Sequence, residues 1–171
     1  MSDTKKTRVL FVCLGNICRS PTAEAVMRHL VKQSGFEGEM DMEMDSAGIG
    51  DWHAGKPPDA RSAAVGAKRG IPVTGKARQV TTKDFATFDL LIAMDKSNRE
   101  DLWALAPTPS ARQQVHLLRD FDPQGPRHAD VPDPYYGGPE GFDQVFDICL
   151  SACAGLLEHV RASKDDVQDH A

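Results

Sequence analysis

Hydrophobic positions along the chain fall into short apolar runs alternating with helical stripes. Val9, Leu10, Phe11 and Val12 form an unbroken run that predicts a buried strand. From Pro21 to Gln33, Ala23, Val26, Met27, Leu30 and Val31 recur at helical spacing, and Ser34 with Gly35 supplies a stop. Met40, Met42 and Met44 alternate with Asp41, Glu43 and Asp45, the period of a strand. Asp59 to Arg69, rich in alanine and closed by Gly70, predicts a second helix. Phe88 to Met94 reads as a buried strand, Lys96 to Leu105 as a helix and Gln114 to Leu118 as another strand. A long final helix is predicted from about Gly141 to Arg161. Its stripe is Phe142, Val145, Phe146, Cys149, Ala152, Cys153, Leu156, Leu157 and Val160. The polar tail from Ser163 onward is expected to fray.

This alternation predicts an α/β fold, with a central parallel sheet of about four strands and helices on both faces. The expectation is one domain over residues 1–171, with a core over 6–161 and a tail over 163–171. In such folds ligands sit at the carboxyl ends of the strands, where Cys13 lies. Two stretches, Ser46 to Pro58 and Arg119 to Glu140, show no period. Long unpatterned loops in a small domain are usually functional, so both are expected to wall a site on the Cys13 edge.

The size of 171 residues with 40% hydrophobic content fits one well-buried core. A net charge of -5 argues against a general nucleic-acid binder. No apolar segment reaches membrane-spanning length, and the start, from Met1 to Lys6, lacks the apolar core of a signal peptide. The expected compartment is the cytoplasm, without membrane insertion. The cysteines at 13, 18, 149 and 153 do not resemble a secreted disulfide framework, and their spacing offers no zinc site. Cys149 and Cys153, four apart on a helical stripe, read as core.

The stretch from Cys13 to Pro21 carries the chemistry: a sulfur at the end of a strand, five intervening residues, then Arg19-Ser20-Pro21 opening a helix. Backbone N–H groups from Leu14 to Ser20 can turn inward into a nest, and the helix adds its free N–H groups and positive dipole end. A phosphate dianion fits there without a metal or other cofactor. Gly15 is expected to take a left-handed or restricted conformation, and Pro21 suits a first helical turn. Arg19 brings a planar fork for two phosphoryl oxygens. The same positive field favours the thiolate form of Cys13, making it a nucleophile. Cys18 beside it is placed to form a reversible disulfide that shelters Cys13 from over-oxidation. In the second loop, Asp133 precedes Pro134, Tyr135 and Tyr136. Phenol has a pKa of roughly 10, so its expulsion gains from a proton donor, and Asp133 is the candidate.

With these motifs in place, the chain resembles the low-molecular-weight protein tyrosine phosphatases over about Lys6 to Arg161. The likeness is carried by Val-Cys-Leu-Gly-Asn-Ile-Cys-Arg-Ser-Pro at 12–21, Asp-Ser-Ala-Gly at 45–48, Lys-Ala-Arg-Gln at 76–79, Ala-Met-Asp at 93–95 and Asp-Pro-Tyr-Tyr-Gly-Gly at 133–138. The resemblance implies that Cys13 forms a cysteinyl-phosphate, Arg19 binds its oxygens and Asp133 serves as general acid and then base. It also implies that Ser20 supports the Cys13 thiolate and that Asn16 shapes the loop by side-chain bonds, one of them to Ser46. Trp52, Tyr135 and Tyr136 would line a groove for the aromatic ring, with Leu14, Gly15, Ile17 and Cys18 completing the binding loop. One departure is Gly75, where many members carry a His that helps hold the loop Asn. His53 is read as a surface loop residue without a catalytic role.

The expected partners are proteins carrying phosphotyrosine, with phosphate as product and the enzyme monomeric or weakly self-associating. Three rivals remain open. An arsenate reductase of the same fold relays oxidation through further mid-chain cysteines, and none lies between Cys18 and Cys149. A protein-arginine phosphatase carries Thr at the position of Ile17, whose apolar side chain favours an aryl substrate. A phosphate-binding or redox-sensing module without turnover would need no acid, and Asp133 is present.

Overall fold

The unbroken apolar run becomes the middle of the sheet: Val9, Leu10, Phe11 and Val12 are wholly buried. The structure is a computed structural model that describes residues 6–34, 42–135 and 137–169. Strand β1 (Thr7–Cys13) pairs in parallel with β2 (Met42–Gly48) on one side and with β3 (Leu90–Ala93) on the other. β4 (Val115–Leu117) pairs in parallel with β3, giving the order β2-β1-β3-β4. The connections hold helices α1 (Arg19–Gln33), α2 (Ala60–Arg69), α3 (Lys83–Thr87), α4 (Lys96–Leu105) and α5 (Pro109–Arg112), and α6 (Glu140–Asp169) follows the last strand.

Alternate residues of β1 serve opposite layers. Val9, Phe11 and Cys13 pack with Ala23, Val26 and Met27 of α1 and with the α6 stripe from Val145 to Val160. Leu10 and Val12 pack with Phe85 of α3 and Leu102 of α4. A strand covered on both faces needs no polar side, which is why positions 9–12 show no alternation. Buried Ser46 and Ala47 show the same effect in β2. That strand extends to Gly48, three residues into a stretch whose sequence carried no period. Met40 and Asp41, part of the alternating segment, lie outside the described residues.

Helix ends follow the local chemistry. Asp59 caps α2 by accepting from the Arg61 N–H, and Gly70 closes it at φ 75°, a left-handed conformation that suits glycine. α6 continues to Asp169, where a frayed tail from Ser163 was expected. The segment 163–169 contains neither glycine nor proline, so a helix started on the core has no reason to stop there. The short helices α3 and α5 and a 3-10 turn at Leu118–Phe121 were not visible as elements, because one turn is too short to show an apolar period. Among the described residues no helix is long and apolar enough to cross a membrane.

The topology fixes where a ligand can sit. The chain passes from β1 to β2 on one side and then to β3 on the other, so strand order reverses beside β1, at the carboxyl edge of the sheet. Cys13 ends β1 at that edge, and the segments following β2, β3 and β4 converge on it.

Candidate active site

Beyond Cys13 the chain turns through 14–18 into α1, whose first residue is Arg19. The Ile49 N–H donates to the Cys13 carbonyl at 2.9 Å and the Gly50 N–H to the Leu14 carbonyl at 3.0 Å, tying the loop to the segment after β2. The left-handed residue is Asn16, at φ 59°, and not Gly15 as the sequence suggested. Asparagine tolerates this conformation because its short amide can bond locally. Gly15 is needed for a different reason: a Cβ there would lie 2.9 Å from Cδ2 of His53.

Two donors converge on the sulfur. The Asn16 N–H donates to Cys13 Sγ at 3.3 Å, and Ser20 Oγ lies 3.0 Å from Sγ. Asn16 Nδ2 donates to Ser20 Oγ at 2.8 Å, which leaves the Ser20 hydroxyl proton free to point at sulfur. The alternative acceptor, the Ala47 carbonyl, is 3.5 Å away, at the limit of a bond. Asn16 Oδ1 accepts from the Arg78 N–H at 3.0 Å. Both ends of the Asn16 amide are thereby taken, and the expected bond to Ser46 is replaced by those to Ser20 and Arg78. Ser46 is buried and shares a small separate cleft with Asn16 and Gly75. Gly75 itself has φ 109°, a conformation that favours glycine over the histidine that the resemblance implies at this position.

Arg19 is 3% exposed. Its Nη1 donates to Asp95 Oδ2 at 2.6 Å and to the Val131 carbonyl at 3.0 Å, while Nη2 faces Asp133 Oδ2 at 3.5 Å. Burial opposes its charge, but the Cys13 sulfur and the carboxylates of Asp95 and Asp133 outweigh it and hold the guanidinium above its ordinary range. With Nη1 committed, Nε and Nη2 form the edge left for phosphoryl oxygens. Asp95 is a site residue that the sequence reading left without a role. The usable signal was an Asp directly after a buried strand and capping the next helix, a position that the parallel topology brings beside Cys13.

Asp133 lies opposite, 40% exposed, with Oδ1 accepting from the Tyr135 N–H at 3.1 Å. Its neighbour Asp130 has a different partner: the Lys96 N–H and ammonium reach it at 3.0 and 3.2 Å. Partial burial pushes the Asp130 carboxyl up, but those Lys96 contacts and the Arg19 charge prevail and hold it below the usual carboxylate range. Asp130 therefore stays ionised and anchors its loop, which suits it poorly for donating a proton.

A cavity of about 410 Å³ opens above the sulfur, lined by Cys13, Leu14, Gly15, Ile17, Cys18, Arg19, Trp52, His53, Asp133 and Tyr135. Of the sequence-selected loop and groove residues that the structure describes, all but the buried Asn16 and Ser20 line it. Tyr136 lies outside the described residues. His53, expected only as a surface loop residue, borders the cavity and meets Tyr135 with ring centroids 6.3 Å apart. The Arg61 guanidinium, held by Asp59, covers the outer side of Tyr135 and Phe142 at 5.4 and 4.5 Å. Cys18 is buried, and that burial, then Asp59, Cys13 and Asp133, push its thiol up to about 12, so it stays protonated. Cys149 and Cys153 are fully buried core residues, as expected, and burial raises their thiols too.

Residues 8–166 match the family model described as low molecular weight phosphotyrosine protein phosphatase. A low molecular weight protein-tyrosine-phosphatase of Streptomyces coelicolor is 46% identical over 155 residues, covering 90% of this chain and 93% of that protein. The crystal structure of a protein tyrosine phosphatase from Entamoeba histolytica, with Hepes in its active site, superposes with a TM-score of 0.86 at 39% identity. It covers 92% of this chain and 99% of that one. The crystal structure of a Drosophila arginine phosphatase superposes with a TM-score of 0.81 at 35% identity, covering 89% and 96%.

Proposed function

The chain belongs to the low molecular weight phosphotyrosine protein phosphatase family, and on that premise we propose that Cys13, Arg19 and Asp133 carry its catalysis. The reaction is hydrolysis of phosphotyrosine, a phosphoric monoester. The phosphoryl group seats among the N–H groups of the 14–20 loop and the free edge of Arg19. Cys13 Sγ attacks phosphorus, the S–P bond forms as the P–O bond to the ring breaks, and Asp133 gives its proton to the departing phenolate. Water then attacks phosphorus while Asp133 takes its proton. The S–P bond breaks, returning the thiolate and releasing phosphate. The observation that carries this reading is the meeting of sulfur, guanidinium and carboxylate in one cavity, the carboxylate coming from a segment more than a hundred residues beyond the loop that holds the other two.

Depth selects the substrate. Cys13 is 3% exposed beneath walls formed by Ile17, Trp52 and Tyr135, so a long flat side chain reaches the sulfur and phosphoserine stops short. Phosphotyrosine, phosphoserine and phosphoarginine peptides compared with chelator present test this directly. Turnover is expected for phosphotyrosine well above the other two, and equal rates on phosphoserine would refute an aryl-selective pocket. Trp52→Ala or Tyr135→Ala should weaken aryl-phosphate binding by about 0.5–1.5 kcal/mol while leaving inhibition by inorganic phosphate unchanged. Ile17→Thr should move preference toward phosphoarginine if the apolar side chain is the gate.

The same site supports redox control. Cys13 reacts first with peroxide, because the Cys18 thiol is protonated. The resulting Cys13 sulfenic acid then condenses with the Cys18 thiol, losing water and forming a disulfide. Mild peroxide should inactivate reversibly, with peptide mapping finding a Cys13 to Cys18 link, and a map showing only other pairings would remove Cys18 from this role. We place the enzyme in the cytoplasm, monomeric or weakly self-associating and acting on phosphotyrosine-containing proteins.

A further inference from the structure

Behind the phosphate loop, Arg78 joins three parts of the molecule. Its Nε donates to Asp45 of β2 at 3.1 Å. Its Nη1 and Nη2 donate to the two carboxylate oxygens of Asp84 in α3 at 3.2 and 3.1 Å. Asp84 is itself 6% exposed and accepts from the Thr81 N–H at 2.8 Å, so the clamp has one buried jaw, while Asp45 and the guanidinium remain partly exposed. Burial opposes the Arg78 charge, but the two carboxylates overcome it and hold the guanidinium above its ordinary range. The Arg78 carbonyl accepts from the Gly48 N–H at 2.8 Å, beside an isolated parallel bridge between Gly48 and Gln79. Its own N–H is left facing Asn16.

That N–H decides how a chain of hydrogen bonds is wired. A backbone N–H only donates, so the Asn16 atom in front of it is Oδ1, and Nδ2 faces Ser20. Ser20 Oγ therefore accepts from Asn16 and has its single proton to offer to Cys13 Sγ, 3.0 Å away. If the amide turned over, Asn16 Oδ1 would take the Ser20 proton and the sulfur would lose one of its two donors. We propose that Arg78 is a positioning residue for Cys13: clamped by Asp45 and Asp84, it orients the Asn16 amide and thereby aims the Ser20 proton at the sulfur. The inference rests on the reading of Cys13 as nucleophile. The other charged or titratable groups around that sulfur are Arg19, Cys18, Asp133 and Cys149 of α6, and none of them contacts Arg78.

The test is the pH profile of Cys13 alkylation by iodoacetamide, mapped by peptide mass, in the wild type, Arg78→Met and Arg78→Lys. Thermal denaturation and the pH profile of kcat/KM are measured alongside. Lysine keeps the charge but a single ammonium cannot span Asp45 and both oxygens of Asp84. The alkylation midpoint is expected to rise by about one pH unit in Arg78→Met, with an intermediate rise in Arg78→Lys, and kcat/KM on the acid side should fall about tenfold. Should Arg78→Met not fold, Arg78→Lys and Asp45→Asn, the latter at a half-exposed carboxylate, read the same midpoint. Variants that lose thermal stability but keep the wild-type midpoint would overturn the positioning role and leave Cys13 as nucleophile. A wild type whose Cys13 reacts only in the ordinary thiol range would instead overturn the catalytic reading on which the role depends.

Discussion

Cys13→Ser is expected to abolish turnover of aryl phosphates, by on the order of 10⁴-fold or more, while leaving inhibition by inorganic phosphate intact. A serine hydroxyl is a far weaker nucleophile toward phosphorus than a cysteine sulfur, so the covalent intermediate does not form at a useful rate. Binding survives because the dianion is held by the loop N–H groups and Arg19, neither of which the change touches. The two residues also differ little in volume, and Ser20 and the Asn16 N–H remain to satisfy the new oxygen. Steady-state rates, phosphate inhibition and the melting temperature measured together separate chemistry from folding. A Cys13→Ser enzyme that turned over normally would remove the cysteinyl-phosphate mechanism. Cys18→Ser is the matched comparison: its thiol is protonated and makes no capping hydrogen bond to α1, so substantial activity should remain.

Asp133→Ala or Asp133→Asn should slow hydrolysis of phenyl-type esters about 10²–10⁴-fold, the range of acid–base catalysis. The size of the loss depends on the leaving group. A phenolate of ordinary basicity needs the proton as the P–O bond breaks, whereas a nitrophenolate leaves readily without it, so the loss should shrink along a series of increasingly acidic phenols. A loss that stayed equal along the series would make Asp133 a positioning group. Asp130→Asn supplies the contrast. Its carboxylate is held ionised by Lys96, so its replacement should loosen the loop and act on all leaving groups alike.

How far the sequence could be read varied with the kind of signal each residue carried. The stripe of α6 and the run of β1 were legible because burial imposes a period, or its absence, on neighbouring positions. The Cys13 to Arg19 loop was legible because nucleophile, nest and helix start are consecutive. Asp133 was legible as a candidate only because that loop supplied a reason for an acid. Asp95 and Arg78 stood inside short motifs, but their roles were not legible there, since each acts through a residue more than sixty positions away: Asp95 through Arg19, Arg78 through Asn16. The contacts of His53 were hidden for the same reason, although its loop was expected to wall the site. Its place beside Gly15 and Tyr135 follows from how the loop after β2 folds back over the site, and no neighbour in sequence announces it.

The sequence by itself determined the α/β alternation, the loop after the first strand and the sulfur proposed as nucleophile, because these depend on contacts between residues close along the chain. Tertiary structure decided the rest. Only the parallel order of strands sets Asp95 against Arg19, and only the packing of the 75–80 segment on Gly48 sets the Arg78 N–H against Asn16. Which residue takes the left-handed turn was likewise settled by tertiary contact. Asn16 holds φ 59° because Ser20 and Arg78 bind both ends of its amide, while Gly15 is kept small by His53. Hydrogen-bond direction is a property of atoms brought face to face, and a one-dimensional pattern of polar and apolar positions does not encode it.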